Sequence, residues 1–470
     1  MHLTIGDIAQ AVHSAVFAPD HRLIHKVSTD TRQLRPGDLF VAIQGPHFDG
    51  HDYVEQALAS GAAAAIVQQA WWEAHRELTL GLPLIVVRNT RLALGDLAAY
   101  WRQRFKIPLV VIVGSNGKTT VKEMIASMCT VQWGRQAVHA TFANFNNDIG
   151  VPMTLLGLRE HHRVAVLELG MNHPGETAIL ARLCQPTVAV INNAQREHQE
   201  FMESVQSVAL EHADLLHALT QEGTAVLNAD DAFFPQWQAV AGHRRVIDFG
   251  LSASPAPQVC ARILASTHEG QTLDVSTPLG ALRVQLAALG EHSARNALAA
   301  IGAGIALGVK ADALRQGLGD FRPVHGRLEL KKGFGGRVVV DDTYNANPDS
   351  VRAAIDVLSG LSMPRMLVLG DMGEAGKAGA QFHAEIGAYA KERGVSYLWA
   401  CGELSMSAVC AFGEGARHYQ DVGALQTDLI PFLLKQPSTI LVKGSRFMKM
   451  ERIVDVITPS LSGHPTSGDS

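Results

Sequence analysis

Apolar residues along this chain gather in short, nearly unbroken runs, and each run stops at a glycine, an amide or a charge. Leu109 to Val113 stops at Gly114, Val164 to Leu167 at Glu168, and Val188 to Ile191 at Asn192. Such runs predict strands buried on both faces, and the helical-period segments between them predict a parallel sheet. Further strands are expected at Asp38 to Ile43, Ala62 to Val67, Leu84 to Val87 and Thr224 to Asn228. Tyr53 to Ser60, closed by Gly61, and Arg91 to Arg104 have helical spacing, and Gly290 opens an Ala-rich helix. Gly250 to Gln258 reads as a loop. After Phe321-Arg322-Pro323-Val324-His325-Gly326-Arg327 breaks the helical pattern, strand signals recur at Arg337 to Val340, Arg365 to Leu369 and Ser438 to Val442. The expected fold is α/β, with three α/β domains at 1–106, 107–321 and 322–460. The Ser-, Pro- and Gly-rich residues 461–470 form a tail expected to be disordered.

Ligands of parallel sheets sit beyond the carboxyl ends of the strands, so the run endings are the candidate chemistry. The first is Gly114-Ser115-Asn116-Gly117-Lys118-Thr119-Thr120, followed by a helical pattern. Strand, glycine loop and helix N-terminus together make a phosphate cradle. The backbone amides and the helix dipole face the anion, Lys118 supplies a point charge and Thr119 a hydroxyl for magnesium. Ile112 stands where the usual phosphate-loop pattern has its first glycine. Glu168 and His198, at or just beyond the next two run endings, converge on the same place as candidate catalytic and Mg²⁺-binding residues beside Lys118.

Other clusters leave two readings open. Asn144, Asn146 and Asn147 suit phosphate or peptide recognition, or an Asn-rich turn. Asn296 could read the adenine edge or begin a helix. Ser28-Thr29-Asp30-Thr31-Arg32 could bind a sugar nucleotide, or form a capped turn with one surface ion pair. In the last third the run endings are Asp341-Asp342-Thr343-Tyr344-Asn345-Ala346-Asn347-Pro348, Gly370-Asp371-Met372-Gly373-Glu374 and Lys443-Gly444-Ser445-Arg446.

Composition narrows the class without changing the map. The chain has 470 residues, 47% hydrophobic and 18% charged, an ordinary globular mixture with room for several domains. A net charge of −5 leaves no nucleic-acid footprint. Five scattered cysteines without a C-x-x-C pair fit a reducing cytoplasm rather than a disulfide or zinc framework. Neither a signal-peptide pattern nor a run long enough to span a bilayer is expected.

Taken in order, these motifs resemble those of the Mur ligases of bacterial cell-wall synthesis, over nearly the whole chain. Gly114 to Thr120 is the family's form of the phosphate loop. The resemblance implies a UDP-sugar-binding first domain, a central P-loop ATPase-like domain, and a Rossmann-like third domain that binds ATP and the incoming amine. It implies an ATP-dependent ligase that forms an acyl phosphate, with ATP and Mg²⁺ required. Asp341 to Ser350 and Asn144 to Asn147 point within the family to UDP-N-acetylmuramoyl-tripeptide and D-alanyl-D-alanine as substrates, handled by a cytoplasmic monomer. A sister ligase that adds one amino acid, a folylpolyglutamate synthetase-like ligase, or a P-loop ATPase that makes no bond are the other readings.

By the same resemblance, Gly114 to Thr120, Asn296, Arg327 and Asp342 serve ATP, and Thr119, Glu168 and His198 the metal. Ser28, Asp30, Arg32, Asn144, Asn146, Asn147, Tyr344, Asn345, Asn347, Asp371, Glu374, Lys443 and Arg446 serve the substrates. Pro323 is expected near a hinge that closes the third domain. One departure stands out. The family's carbamoylated lysine after the metal histidine is missing from Val208-Ala209-Leu210-Glu211-His212-Ala213-Asp214, where Glu211 or His212 holds its place.

Overall fold

The computed structural model describes residues 1–14 and 22–458; the tail expected to be disordered lies outside them. Three α/β units follow one another along the chain. The first carries a four-stranded parallel sheet, Val27–Ser28, Leu39–Val41, Ala64–Gln68 and Leu84–Val87. The helix Thr90–Arg102 leads out of it, capped by the Asn89 side chain, which accepts from the amides of Arg91 and Leu92.

The second unit is built on a nine-stranded sheet. Its strand Leu109–Val113 is wholly buried. Leu109, Val111 and Val113 pack into one core and Val110 and Ile112 into the other, so each face of the sheet has its own apolar layer. At about 1.5–3 kcal/mol for each large apolar side chain removed from water, this strand anchors the unit. It lies between Val164–Glu168 and Val188–Ile191, paired in parallel with both. The chain first runs to Val138–Ala140 at the sheet edge, returns to Val164–Glu168, then crosses to Val188–Ile191 on the other side. The winding therefore reverses at Leu109–Val113, which opens a crevice at that strand's carboxyl end.

The central sheet is not parallel throughout. Val259–Thr267, Gly270–Thr277 and Gly280–Leu286 form an antiparallel meander that extends it. The alternating exposure along Gly280–Leu286 marks a sheet with one wet face. The third unit has six strands, parallel except for the edge strand Glu329–Lys332. Among the described residues no helix is long and apolar enough to cross a membrane.

Candidate active site

A cavity of about 910 Å³ opens at the carboxyl end of the Leu109–Val113 strand and is walled by the second and third units, with Arg91 and Leu92 of the helix Thr90–Arg102 at its side. Its floor is the loop from Ser115 to Thr120. Gly117 has φ +85° and caps the helix Lys118–Trp133. A Cβ there would lie 2.4 Å from Asn296 Oδ1 and 2.6 Å from Asn192 Nδ2, so only glycine fits. Asn192 Nδ2 donates to Asn296 Oδ1 and to the Asn116 carbonyl, each at 2.8 Å. Asn296, expected to read adenine or to begin a helix, thus lies against Gly117 and is linked to the loop through Asn192.

The Lys118 ammonium donates back to the Gly114 carbonyl and stands 3.7 Å from Glu197 Oε2. Glu197, unread in the sequence, is 6% exposed. Its Oε1 accepts from His212 Nε2 at 3.1 Å. Burial pushes the Glu197 carboxyl up, but Lys118, His212 and Ser115 outweigh burial and hold it at about 2. His212 is buried on the helix Val205–Ala218, and its Nδ1 has no hydrogen-bond partner.

Glu168 ends its strand with 1% exposure. Its Oε1 accepts from Asn146 Nδ2 at 2.8 Å, and its buried Oε2 has no partner. A buried carboxylate oxygen left unpaired beside a phosphate loop fits a hard divalent cation, with the Thr119 hydroxyl and the nucleotide's oxygens completing its shell. His198, at φ +46°, places Nδ1 2.6 Å from Glu374 Oε2. That contact outweighs burial and keeps the Glu374 carboxyl below the usual range. Glu168, Glu197 and His198 share the cavity wall without closing into a compact chelate. Among the described residues the one group of three His, Asp or Glu ligand atoms within 4.8 Å of one another is His325, Glu329 and Asp341. Lys331 already fills that group, its ammonium 2.6 Å from Asp341.

The third unit supplies the opposite wall with Arg327, Asp342, Tyr344, Asn345, Asn347, Glu374 and Lys443. Arg327 lies over the Tyr344 ring at 4.1 Å. Lys443 is buried and committed to Asp342 and to the Asn345 carbonyl. Side-chain contacts hold this wall against the segment 195–199 and against the phosphate loop. Arg196 binds Asp349 at 2.7 Å and Glu385 at 2.9 Å, and Asn347 Nδ2 donates to Asn116 Oδ1 at 3.0 Å. Asn144 and Asn147 also line the cavity, where Asn147 Oδ1 caps the helix Gly150–Leu156 through the Gly150 amide.

Five of the expected residues stand elsewhere. Ser28, Asp30 and Arg32 do not line the cavity. Asp30 caps the turn Thr31–Gln33 and forms a two-pronged ion pair with the exposed Arg32. The Asp371 carboxylate accepts from the Ser405 amide at 2.8 Å and the Leu404 amide at 3.2 Å, which turns it away from the cavity. Arg446 is paired with Glu451 and largely exposed. Of the two residues in the place of the missing lysine, Glu211 is spent on another helix: it accepts from the amides of Gly175 and Thr177 at 2.8 and 2.7 Å. Glu211→Ala should therefore lower unfolding free energy by about 1–2 kcal/mol, the cost of a lost cap, with no change in metal affinity. A weakened metal titration in a folded Glu211→Ala protein would return Glu211 to the site.

The comparisons with known proteins cover the same ground. Residues 23–102 match the Mur ligase family catalytic domain, 112–304 the Mur ligase middle domain, and 326–446 the Mur ligase glutamate ligase domain. The UDP-N-acetylmuramoyl-tripeptide–D-alanyl-D-alanine ligase of Escherichia coli strain K12 is 40% identical over 429 residues, 91% of this chain and 92% of that protein. The Haemophilus influenzae protein of the same name is 36% identical over 96% of this chain and 97% of its own length. A crystal structure of MurF from Acinetobacter baumannii superposes with a TM-score of 0.88 at 32% identity, covering 97% of this chain and 98% of the other. Three matched domains in sequence order, with identity this high across nine-tenths of both chains, make this chain a member of the Mur ligase family.

Proposed function

We propose that the chain joins D-alanyl-D-alanine to UDP-N-acetylmuramoyl-tripeptide at the expense of ATP, as a monomer in the cytoplasmic stage of peptidoglycan synthesis. The observation that carries this is the shared cavity, with a phosphate loop on one wall and the Tyr344-Asn345-Ala346-Asn347 segment on the other. The names of the long, near-full-length relatives agree with it.

A carboxylate resists attack by an amine because its leaving group is oxide. Phosphorylation of the tripeptide carboxylate makes an acyl phosphate, the dipeptide amine adds to its carbonyl, and the tetrahedral species expels phosphate. The loop amides and Lys118 hold the β- and γ-phosphates in line and offset the charge on the transferring group. Glu168, Thr119 and His198 would hold Mg²⁺, which neutralises phosphate charge. The third unit, pinned by Arg196, excludes water that would hydrolyse the acyl phosphate. Arg327 and Asp342 face the nucleotide from that side.

Substrate dependence tests this. Phosphate release from ATP is expected only when the tripeptide acceptor and D-alanyl-D-alanine are both present. Release supported by a single amino acid or by glutamate would favour a sister activity, and release without any acceptor would leave only an ATPase.

A further inference from the structure

Six Lys or Arg side chains line the cavity, and the reading above accounts for five of them. Arg196 holds Asp349 and Glu385, Arg295 holds Asp230 and Glu291, and Lys443 is spent on Asp342. Lys118 and Arg327 serve the nucleotide. The sixth, Arg91, comes from the first turn of the helix that leads out of the first unit. Its Nη1 donates to Asp148 at 2.7 Å and its Nη2 to the Gln44 carbonyl at 3.2 Å. Among the described residues these contacts occupy two of its five N–H groups. The Arg91 and Asp148 side chains are 37% and 50% exposed, so water screens the pair and an incoming anion can displace it. Arg91 thus stands between Gln44 of the first unit and the loop whose Asn146 holds Glu168. An acceptor with its nucleotide end in the first unit and its reacting carboxylate at the phosphate loop has to cross this gap. Beside Arg91, Leu92 is 62% exposed, and Ile179 across the cavity is 54% exposed. Large apolar side chains left open around one charged fork make a ligand surface, not a packed core.

Resting on the ligase reading above, we propose that Arg91 is a specificity-determining residue for the acceptor: its guanidinium takes an oxyanion of the acceptor other than the carboxylate that reacts. That oxyanion is a phosphate of the acceptor's diphosphate or a second carboxylate of its peptide. Both present the paired oxygens that a planar guanidinium binds with two parallel hydrogen bonds, which a lysine ammonium cannot copy. Asp148 holds the fork in place until the anion arrives, and it acts only through Arg91. The reacting carboxylate itself stays free for phosphorylation.

Initial rates of the full chain, with the acceptor varied at saturating ATP and D-alanyl-D-alanine, test this. Arg91→Gln should raise the acceptor KM by roughly 10–100-fold, the scale of one hydrogen-bonded charge pair. Its kcat and its KM for ATP should stay at the parent's values, because the contact is made equally in the ground and transition states. Arg91→Lys, which keeps the charge and loses the fork, should fall between. Asp148→Asn should not raise the acceptor KM, since it frees the guanidinium from a competing carboxylate. Two further ligands identify the anion. If it is a phosphate, UDP-N-acetylmuramic acid without the peptide should inhibit Arg91→Gln more weakly than the parent. If it is a carboxylate, that inhibition should be unchanged, and an acceptor amidated at every carboxylate but the reacting one should show the same KM with both proteins. Either pattern supports the inference. A thermal melt confirms folding, and if Arg91→Gln does not fold, Arg91→Lys decides. An unchanged acceptor KM in the folded Arg91 variant would overturn the inference. So would Asp148→Asn raising the KM as much as Arg91→Gln, which would make the pair a brace between the units. Phosphate release by the parent that ignores the acceptor would instead overturn the ligase reading itself.

Discussion

Lys118→Ala should lower kcat for phosphate release by roughly 10²–10³-fold, the scale set by removing one charged donor from a developing oxyanion. The fold should survive. Lys118 makes one hydrogen bond, to Gly114, and the strand before its loop is held by two buried cores that do not involve its side chain. The loss should fall mainly on kcat, because the loop amides and the helix N-terminus still bind the ground-state phosphates, whereas charge on the transferring group grows in the transition state. Initial-rate assays with ATP varied, beside a thermal melt, decide the matter. An active Lys118→Ala protein would remove the lysine from the phosphoryl transfer; an unfolded one would show its role to be structural.

Glu168→Gln carries two opposite expectations. The amide oxygen can still accept from Asn146, but the charge that suits a divalent cation is gone. Activity should fall by roughly 10²-fold or more, with the deficit partly relieved at high Mg²⁺. In protein stripped of divalent ions the variant should melt at a higher temperature than its parent. A buried carboxylate oxygen without a partner costs about 1–3 kcal/mol, more when charged, and the neutral amide lowers that cost. Loss of activity with a gain in metal-free stability is the mark of a group kept for function. A lower melting temperature together with full activity would assign Glu168 to the scaffold.

The strands and the loop were legible in the sequence because burial on both sheet faces leaves an apolar run that little else produces. Leu109–Val113, Leu84–Val87 and Thr224–Asn228 lie where their runs fall. The meander at 259–286 was harder to see, since alternation with Ser, Thr and Gln in it gives a weaker signal than an unbroken run. Glu197 was hidden for a different reason. Arg196-Glu197-His198-Gln199-Glu200 reads as an exposed polar loop, and nothing local shows that Glu197 is buried by a histidine fifteen positions on. The choice between Glu211 and His212 could not be made from spacing alone. Adjacent helical residues point about 100° apart, so His212 can reach Glu197 while Glu211 caps a neighbouring helix. Asp371 shows the converse. It sits at a strand end, where a ligand residue is expected, yet its carboxylate is taken by the amides of Leu404 and Ser405.

Arg196, Glu197 and His198 are three consecutive residues with three destinations: Asp349 and Glu385, Lys118, and Glu374. The segment therefore ties the outer unit to the phosphate loop through adjacent side chains. For the third unit to swing away, Arg196 must release two carboxylates and His198 a third, and both losses fall on the neighbours of Glu197. The contacts to the outer unit and the carboxylate beside the phosphate loop thus share one short segment, so a change in either reaches the other through adjacent residues.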